Sequence, residues 1–175
     1  MKKFLFIIIT ILITTLAGFA QTPQKIGYVD SQVILTQLPE AIKAQGDLDA
    51  LTNMWSAQVD SMTLLYQQSL ADYQKQANTM TEEKKVAAQQ SLIKMEQDIL
   101  EFRRQKFGQG TGEIYQKQEQ IFTPVKNKIY AAIQQVAKDE GMQFVFDKSG
   151  DIILLYADAA FDVTYKVLDK LKRGN

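Results

Sequence analysis

The 175-residue chain has neither cysteine nor histidine. The first absence rules out disulfides and thiolate chemistry. The second removes imidazole as a metal ligand, general base or member of a nucleophilic triad. The fold must therefore stand without covalent cross-links or a zinc site of the Cys/His type. Helix breakers are also few. Between Pro39 and Asn78 no proline follows the first residue and Gly46 is the only glycine, so one helix can run the whole distance. An excess of one charge is missing too, because 20 basic residues face 20 acidic ones. Such a chain has no general electrostatic attraction for nucleic acid.

One long apolar run is present, at the very start. Lys2 and Lys3 precede the run Phe4 to Leu16, and Gly18-Phe19-Ala20 then supplies small residues at the positions a signal peptidase reads. Residues 1–20 are therefore expected to be a signal peptide cleaved near Ala20. A retained anchor is the weaker reading, since the run is shorter than the ~20 residues a spanning helix needs. No cysteine follows Ala20, which excludes lipid attachment at a new N-terminal cysteine. The mature chain would carry 18 basic and 20 acidic residues, a formal charge of −2.

The mature chain opens with Lys25-Ile26-Gly27-Tyr28-Val29-Asp30, which reads as a short strand with Ile26 and Tyr28 on one face. Pro39, with Glu40 in the first turn, then marks a helix start. Leu48, Leu51, Trp55, Val59, Met62, Tyr66, Leu70, Tyr73, Ala77 and Met80 follow at steps of three or four. The mean step is about 3.6, the period of an amphipathic helix. The stripe is about one residue wide, enough for a two-helix seam and too little for the centre of a compact core.

The chain is expected to reverse at Asn78-Thr79-Met80-Thr81, with Thr79 or Thr81 capping a return helix whose first turn holds Glu82 and Glu83. Ala88, Leu92, Met95, Ile99 and Phe102 continue the seam, and after a break Ile121, Val125, Ile129, Ala132 and Val136 resume it. Two long helices joined by a short turn run antiparallel. A second row, Val86, Ile93, Leu100 and Phe107, recurs every seven residues on the side away from the seam, and Leu64 occupies the corresponding face of the first helix. Such a row serves either a neighbouring helix or subunit, or client proteins held on an exposed apolar surface.

Phe107-Gly108-Gln109-Gly110-Thr111-Gly112 interrupts the return helix. Each glycine costs about 1 kcal/mol relative to alanine inside a helix, so this segment is a frayed helix, a kink or a hinge. A phosphate-cradling loop lacks the Lys-Ser/Thr pair and preceding strand it would need. Pro124 adds a second expected bend. Gly141 ends the helix, Gln143 to Phe146 alternates as a strand, and Asp147 to Asp151 forms a turn. Ile152 to Tyr156 is expected to return as the partner strand of a hairpin. Asp162 can cap a last helix whose Val163, Val167, Leu168 and Leu171 face inward. Asp30, Asp147 and Asp151 are better explained by turn and strand-end chemistry than by a cation.

Three segments taken together resemble the Skp/OmpH family of periplasmic chaperones. These are Lys25 to Ser31 leading to Leu38-Pro39-Glu40-Ala41, then Ala132-Ile133 through Gly141 to Phe144-Val145-Phe146-Asp147, and finally Leu155-Tyr156-Ala157 with Asp162-Val163-Thr164 and Val167-Leu168. The resemblance spans essentially the whole mature chain. It implies a mainly α fold with a small β-part. Residues 41–140 would form a long antiparallel helical hairpin, a coiled-coil arm. Residues 21–40 and 141–175 would form a β-containing trimerisation body, in a jellyfish-like homotrimer. It implies an ATP-independent holdase for unfolded outer-membrane β-barrel proteins in the periplasm, with no catalytic residues and no cofactor. By position, Ile26, Tyr28, Phe144, Phe146 and Ile152 would join the trimer body, and Leu64, Ile93, Leu100 and Phe107 would hold clients.

Typical members are markedly basic and draw acidic clients or lipid headgroups to their arms. This mature chain is near neutral and its turn mixes Glu82-Glu83 with Lys84-Lys85. Any contact with the outer membrane or its lipid is thus expected to be weak, and apolar contact must carry client binding. Independently of the resemblance, a thin seam and short strands leave open edges that oligomerisation would cover. The main rival reading is a coiled-coil adaptor of the cell envelope with one folded partner. A carboxylate-only hydrolase is disfavoured, because the acidic residues fall mainly on solvated helix faces.

Overall fold

The computed structural model describes residues 24–174, so the expected signal peptide lies outside the described residues. The described chain is mainly helical. In order it contains β1 (Ile26–Val29), α1 (Ser31–Gln37), α2 (Pro39–Gln76), α3 (Glu82–Phe107), α4 (Glu113–Asp139), β2 (Phe144–Asp147), a 3-10 turn (Ala159–Phe161) and α5 (Thr164–Arg173). Contacts divide it into two compact units. One comprises the chain through Ile34 and from Ala131 onward, and the other Leu35–Tyr130.

In the first unit β1 and β2 pair in parallel, with Ile26 opposite Phe144 and Tyr28 opposite Phe146. Parallel neighbours cannot be joined by a tight turn, and here the long helical excursion between them supplies the connection. The expected hairpin is therefore corrected. Ile152 to Tyr156 forms no strand in the described chain, although its composition suits one. A strand needs a neighbour as well as propensity; both edges of β1 are taken, and the free edge of β2, where a hairpin would place this segment, is left unpaired among the described residues. β2 lies along one edge of β1. Along the other, Tyr28 bridges Asp162 and its carbonyl accepts the Val163 N–H at 2.9 Å.

Val29, Ile34, Val136, Val163, Val167 and Leu168 are buried in this unit. Asp162 opens α5 as expected, although one residue before the backbone cap at Val163. Its Oδ1 accepts from Thr164 N at 2.9 Å and from Thr164 Oγ1 at 2.5 Å. The same hydroxyl oxygen accepts the Asp30 N–H at 2.9 Å. Asp30 in turn caps α1, a helix the apolar pattern did not announce, by accepting from Val33 N at 3.0 Å. At the end of α4 the N–H of Met142 reaches Ala137 O and that of Gly141 reaches Lys138 O, with Gly141 at φ +65°. This closure satisfies the last carbonyls and needs the left-handed conformation that glycine adopts freely.

In the second unit α2 is 38 residues long, about 57 Å at the α-helical rise. Its expected stripe is the covered one. Leu48, Trp55 and Val59 are buried, and every stripe residue from Met62 to Met80 is partly covered. Ile99 is buried on α3, as are Val125 and Ile129 on α4. Of the two candidate caps Thr81 opens α3, accepting from Lys84 N, while Thr79 bonds back to Gln76 O. Gln89 Nε2 donates to Tyr73 Oη at 2.8 Å, the Trp55 and Phe107 rings meet at 6.0 Å, and Lys128 pairs with Glu40. Pro124 lies inside α4, and the helix continues past it.

The packing of β1 generates a test. A β-carbon at Gly27 would lie 2.3 Å from Met142 Sδ and 3.2 Å from the backbone carbonyl oxygen of Phe161. The sulfur can move aside, but the carbonyl belongs to the segment that pairs with β1. Gly27→Val is expected to destabilise the first unit by about 1–3 kcal/mol, read as a lowered urea midpoint at unchanged helical content before the transition.

Candidate functional site

Two apolar surfaces stand out, one on each unit. On the sheet, alternation puts Ile26 and Tyr28 on one face, and the parallel register places Phe144 and Phe146 beside them. Gly27 and Val29 on the opposite face are buried. Ile26, Phe144 and Phe146 are exposed, whereas Tyr28 is only 9% exposed and is part of the protomer's own core. Burial, followed by the charges of Asp162 and Asp158, holds the Tyr28 phenol above its ordinary range. Of the five residues assigned to oligomerisation by position, four therefore present apolar surface and Tyr28 supports them from inside. The extended segment adds more. Ile152 is exposed, Leu155 is 93% exposed and Tyr156 84%.

Carboxylates pin both ends of this sheet. Beyond its N-terminal end Glu140 pairs with Lys25 at 3.5 Å and with Lys166. The hydrogen bond from Lys166 is the main cause that lowers the Glu140 carboxyl from its ordinary value, and Lys25 adds to it. At the C-terminal end Asp147 accepts from Ser31 N at 3.1 Å, Ser31 Oγ at 2.5 Å and Ser149 N at 3.0 Å. Burial alone would raise its pKa. The hydrogen bonds from Ser31 and Ser149 outweigh that and leave it lowered. The Asp147 carboxylate is thus committed to holding β2 and the start of α1 together. Among the described residues no cluster of acidic side chains has the arrangement of a metal site.

On the helical unit Leu64 of α2 and Val86, Ile93 and Leu100 of α3 are exposed, Leu100 by 59%. Phe107 departs from this row. It is partly covered and meets Trp55 edge-on at 82°, because a seven-residue step falls about 20° short of two full helical turns and the last member of the row has drifted toward the seam. Leu65, adjacent to Leu64, is exposed as well. The seven-residue count did not include it, although an apolar pair in a polar helix is legible in the sequence. No helix of the described chain is long and apolar enough to cross a membrane.

These surfaces lie on a mainly helical chain with a small two-stranded sheet, an architecture of the OmpH-like type. The family model described as outer membrane protein (OmpH-like) matches residues 25–171, and the chain belongs to that family. The fold is also similar to a crystal structure from Caulobacter crescentus CB15, described as a candidate outer membrane chaperone (OmpH-like). The TM-score is 0.73 at 12% sequence identity, over 88% of this chain and 87% of that one. No curated protein matches the chain.

The two carboxylate anchors predict an acid dependence. Each has a lowered pKa in the folded state, so its contribution is complete above the ordinary values of 4.5 and 3.8 and fades as the pH falls through the lower folded values. Glu140→Gln combined with Asp147→Asn should reduce stability at pH 7 and flatten its decline below about pH 4.5. Denaturant midpoints at half-unit pH intervals would show both effects.

Proposed function

We propose that this protein is an ATP-independent holdase chaperone of the periplasm that keeps unfolded outer-membrane β-barrel proteins from aggregating. The observation that carries this reading is the recurrence of exposed apolar side chains at helical spacing, Leu64, Val86, Ile93 and Leu100, along helices whose seam faces elsewhere. Membership of the OmpH-like family supports it, as does the fold shared with a protein described as a candidate outer membrane chaperone. The reading assigns residues 1–20 to an export signal removed in the periplasm. Residues 41–140 become an arm, and 21–40 with 141–175 a trimerisation body.

Three contacts support an antiparallel arm. The residue numbers in the pairs Tyr73–Gln89, Trp55–Phe107 and Glu40–Lys128 total between 162 and 168, near-constant as required of neighbours running in opposite directions. In the body, Ile26, Phe144, Phe146 and Ile152 meet the equivalent surfaces of two further copies. Phe107 is withdrawn from the client-binding set because Trp55 covers it. With so many separate apolar positions, each client contact is weak, which favours reversible holding of varied chains over one tight complex. No step of this activity calls for a cofactor or a catalytic residue.

Light scattering of the mature chain should give the mass of a trimer, and of a trimer plus one chain once an unfolded outer-membrane barrel protein is added without ATP. A monomer or dimer indifferent to unfolded protein, yet saturable by one folded envelope protein, would favour the adaptor reading instead. Replacing Leu64, Ile93 and Leu100 together by Ser should reduce suppression of client aggregation at least several-fold without changing the trimer mass. Full suppression by that variant would remove these residues from the binding surface.

A further inference from the structure

The glycine segment between α3 and α4 is a built joint. α3 stops at Phe107 and α4 starts at Glu113. Between them Gly112 N–H bonds Gly108 O at 2.7 Å, Thr111 N–H bonds the same oxygen at 3.2 Å, and Gly108 N–H bonds Arg104 O at 2.9 Å. A β-carbon at Gly108 would fall 2.4 Å from Arg104 O, and one at Gly112 would fall 2.6 Å from Gly108 N, while Gly110 sits at φ +71°. Each of the three positions accepts only glycine without distortion, for reasons of backbone geometry. The loop is therefore specified by its sequence rather than frayed.

Side chains bridge the loop. Lys106, one residue before the end of α3, pairs with Glu113, the first residue of α4. The Lys106 ammonium also lies 4.9 Å from the Trp55 ring centroid and 5.8 Å from that of Phe102. Trp55, on α2, is only 4% exposed and meets Phe107 edge-on. One lysine thus contacts all three helices, as an ion-pair partner to α4 and as a cation beside aromatic rings of α2 and α3. A cation over an aromatic face gains strength as water is excluded, and the Lys106 side chain is only 21% exposed.

We propose that Lys106, Trp55 and Glu113 form a clamp that locks the glycine joint, so that breaking the Lys106–Glu113 pair frees α3 to move against α4 and exposes Trp55. The three elements depend on one another. The glycines remove helical continuity, the ion pair replaces it with a contact that salt can screen, and the aromatic contact ties the joint to the facing helix. The clamp is a property of the free chain and does not depend on what the protein binds.

Trp55 is the only tryptophan in the chain, so its fluorescence reports the clamp directly. In the full mature protein, Glu113→Gln should raise acrylamide quenching of Trp55 at least twofold. Amide exchange across residues 104–116 should rise at least fivefold, with far-UV helicity and exchange in the first unit unchanged. In 1 M NaCl the parent chain should move toward the behaviour of this variant, and the variant itself should change little. Lys106→Met should act like Glu113→Gln, whereas Lys106→Arg, which keeps both the charge and the ring contact, should remain close to the parent. Unchanged quenching and exchange in Glu113→Gln and Lys106→Met would overturn the proposal. So would a uniform loss of structure in both while Lys106→Arg stays like the parent, since the lysine would then be a general stabiliser and not a local lock.

Discussion

The structure depends on four residues of β1. Their backbone groups meet β2 on one edge and the Asp162–Val163 segment on the other, both more than 110 residues further along the chain. Closing so long a loop costs conformational entropy, although each doubling of loop length adds only about 0.6 kcal/mol. The cost is offset locally. Thr164 and Asp147 are bonded to the backbone just after β1, at Asp30 and Ser31, and the Schellman closure at Gly141 turns the chain out of α4 toward β2. Parallel pairing demands that the chain make a long connection before it returns. The helices of the second unit are that connection, and the geometry of β1 is what permits them.

A connection of such length must bury its apolar residues within itself or against other chains. The seam of α2 does the former with one residue per turn, buried at Leu48, Trp55 and Val59 and only partly covered from Met62 onward. A thin seam leaves most of each helix in solvent. Most of that surface is charged or amide, as in any soluble long helix. Leu64, Leu65, Val86, Ile93 and Leu100 are among the departures, and an exposed leucine or isoleucine repeated at helical spacing is costly unless something uses it. The family places this architecture among OmpH-like proteins, and the proposed holding of unfolded chains gives those residues a use. Because the charge is balanced, that use would rest on apolar contact rather than on attraction at a distance.

Much of the helical unit was legible because its signals are local. The 3.6-residue period from Leu48 to Met80 needs no knowledge of any distant residue, and neither does the cap at Thr81 or the stop at Gly141. Local signals were also missed. Asp30 is a residue type that caps helices and so can announce α1, yet the apolar pattern there is too short to draw attention. Phe107 was placed on the outer row by extending a seven-residue count to the point where the glycines end the helix. A seven-residue row drifts by about 20° per repeat on a straight α-helix, so by its fourth member the ring has come round toward Trp55 instead.

The sequence by itself determined the lengths and capped ends of the long helices, their buried stripe and the absence of cysteine or histidine chemistry. Each of these follows from residue type and spacing within a few turns of chain. Only the tertiary structure decided that β1 pairs in parallel with β2, that Ile152 to Tyr156 is left without a strand partner, and that Tyr28 is buried while Phe144 and Phe146 beside it are exposed. It also decided that Lys106 bridges the glycine segment beneath Trp55. These outcomes rest on which distant backbone edge or ring arrives first at a given face. No local periodicity encodes that competition between partners.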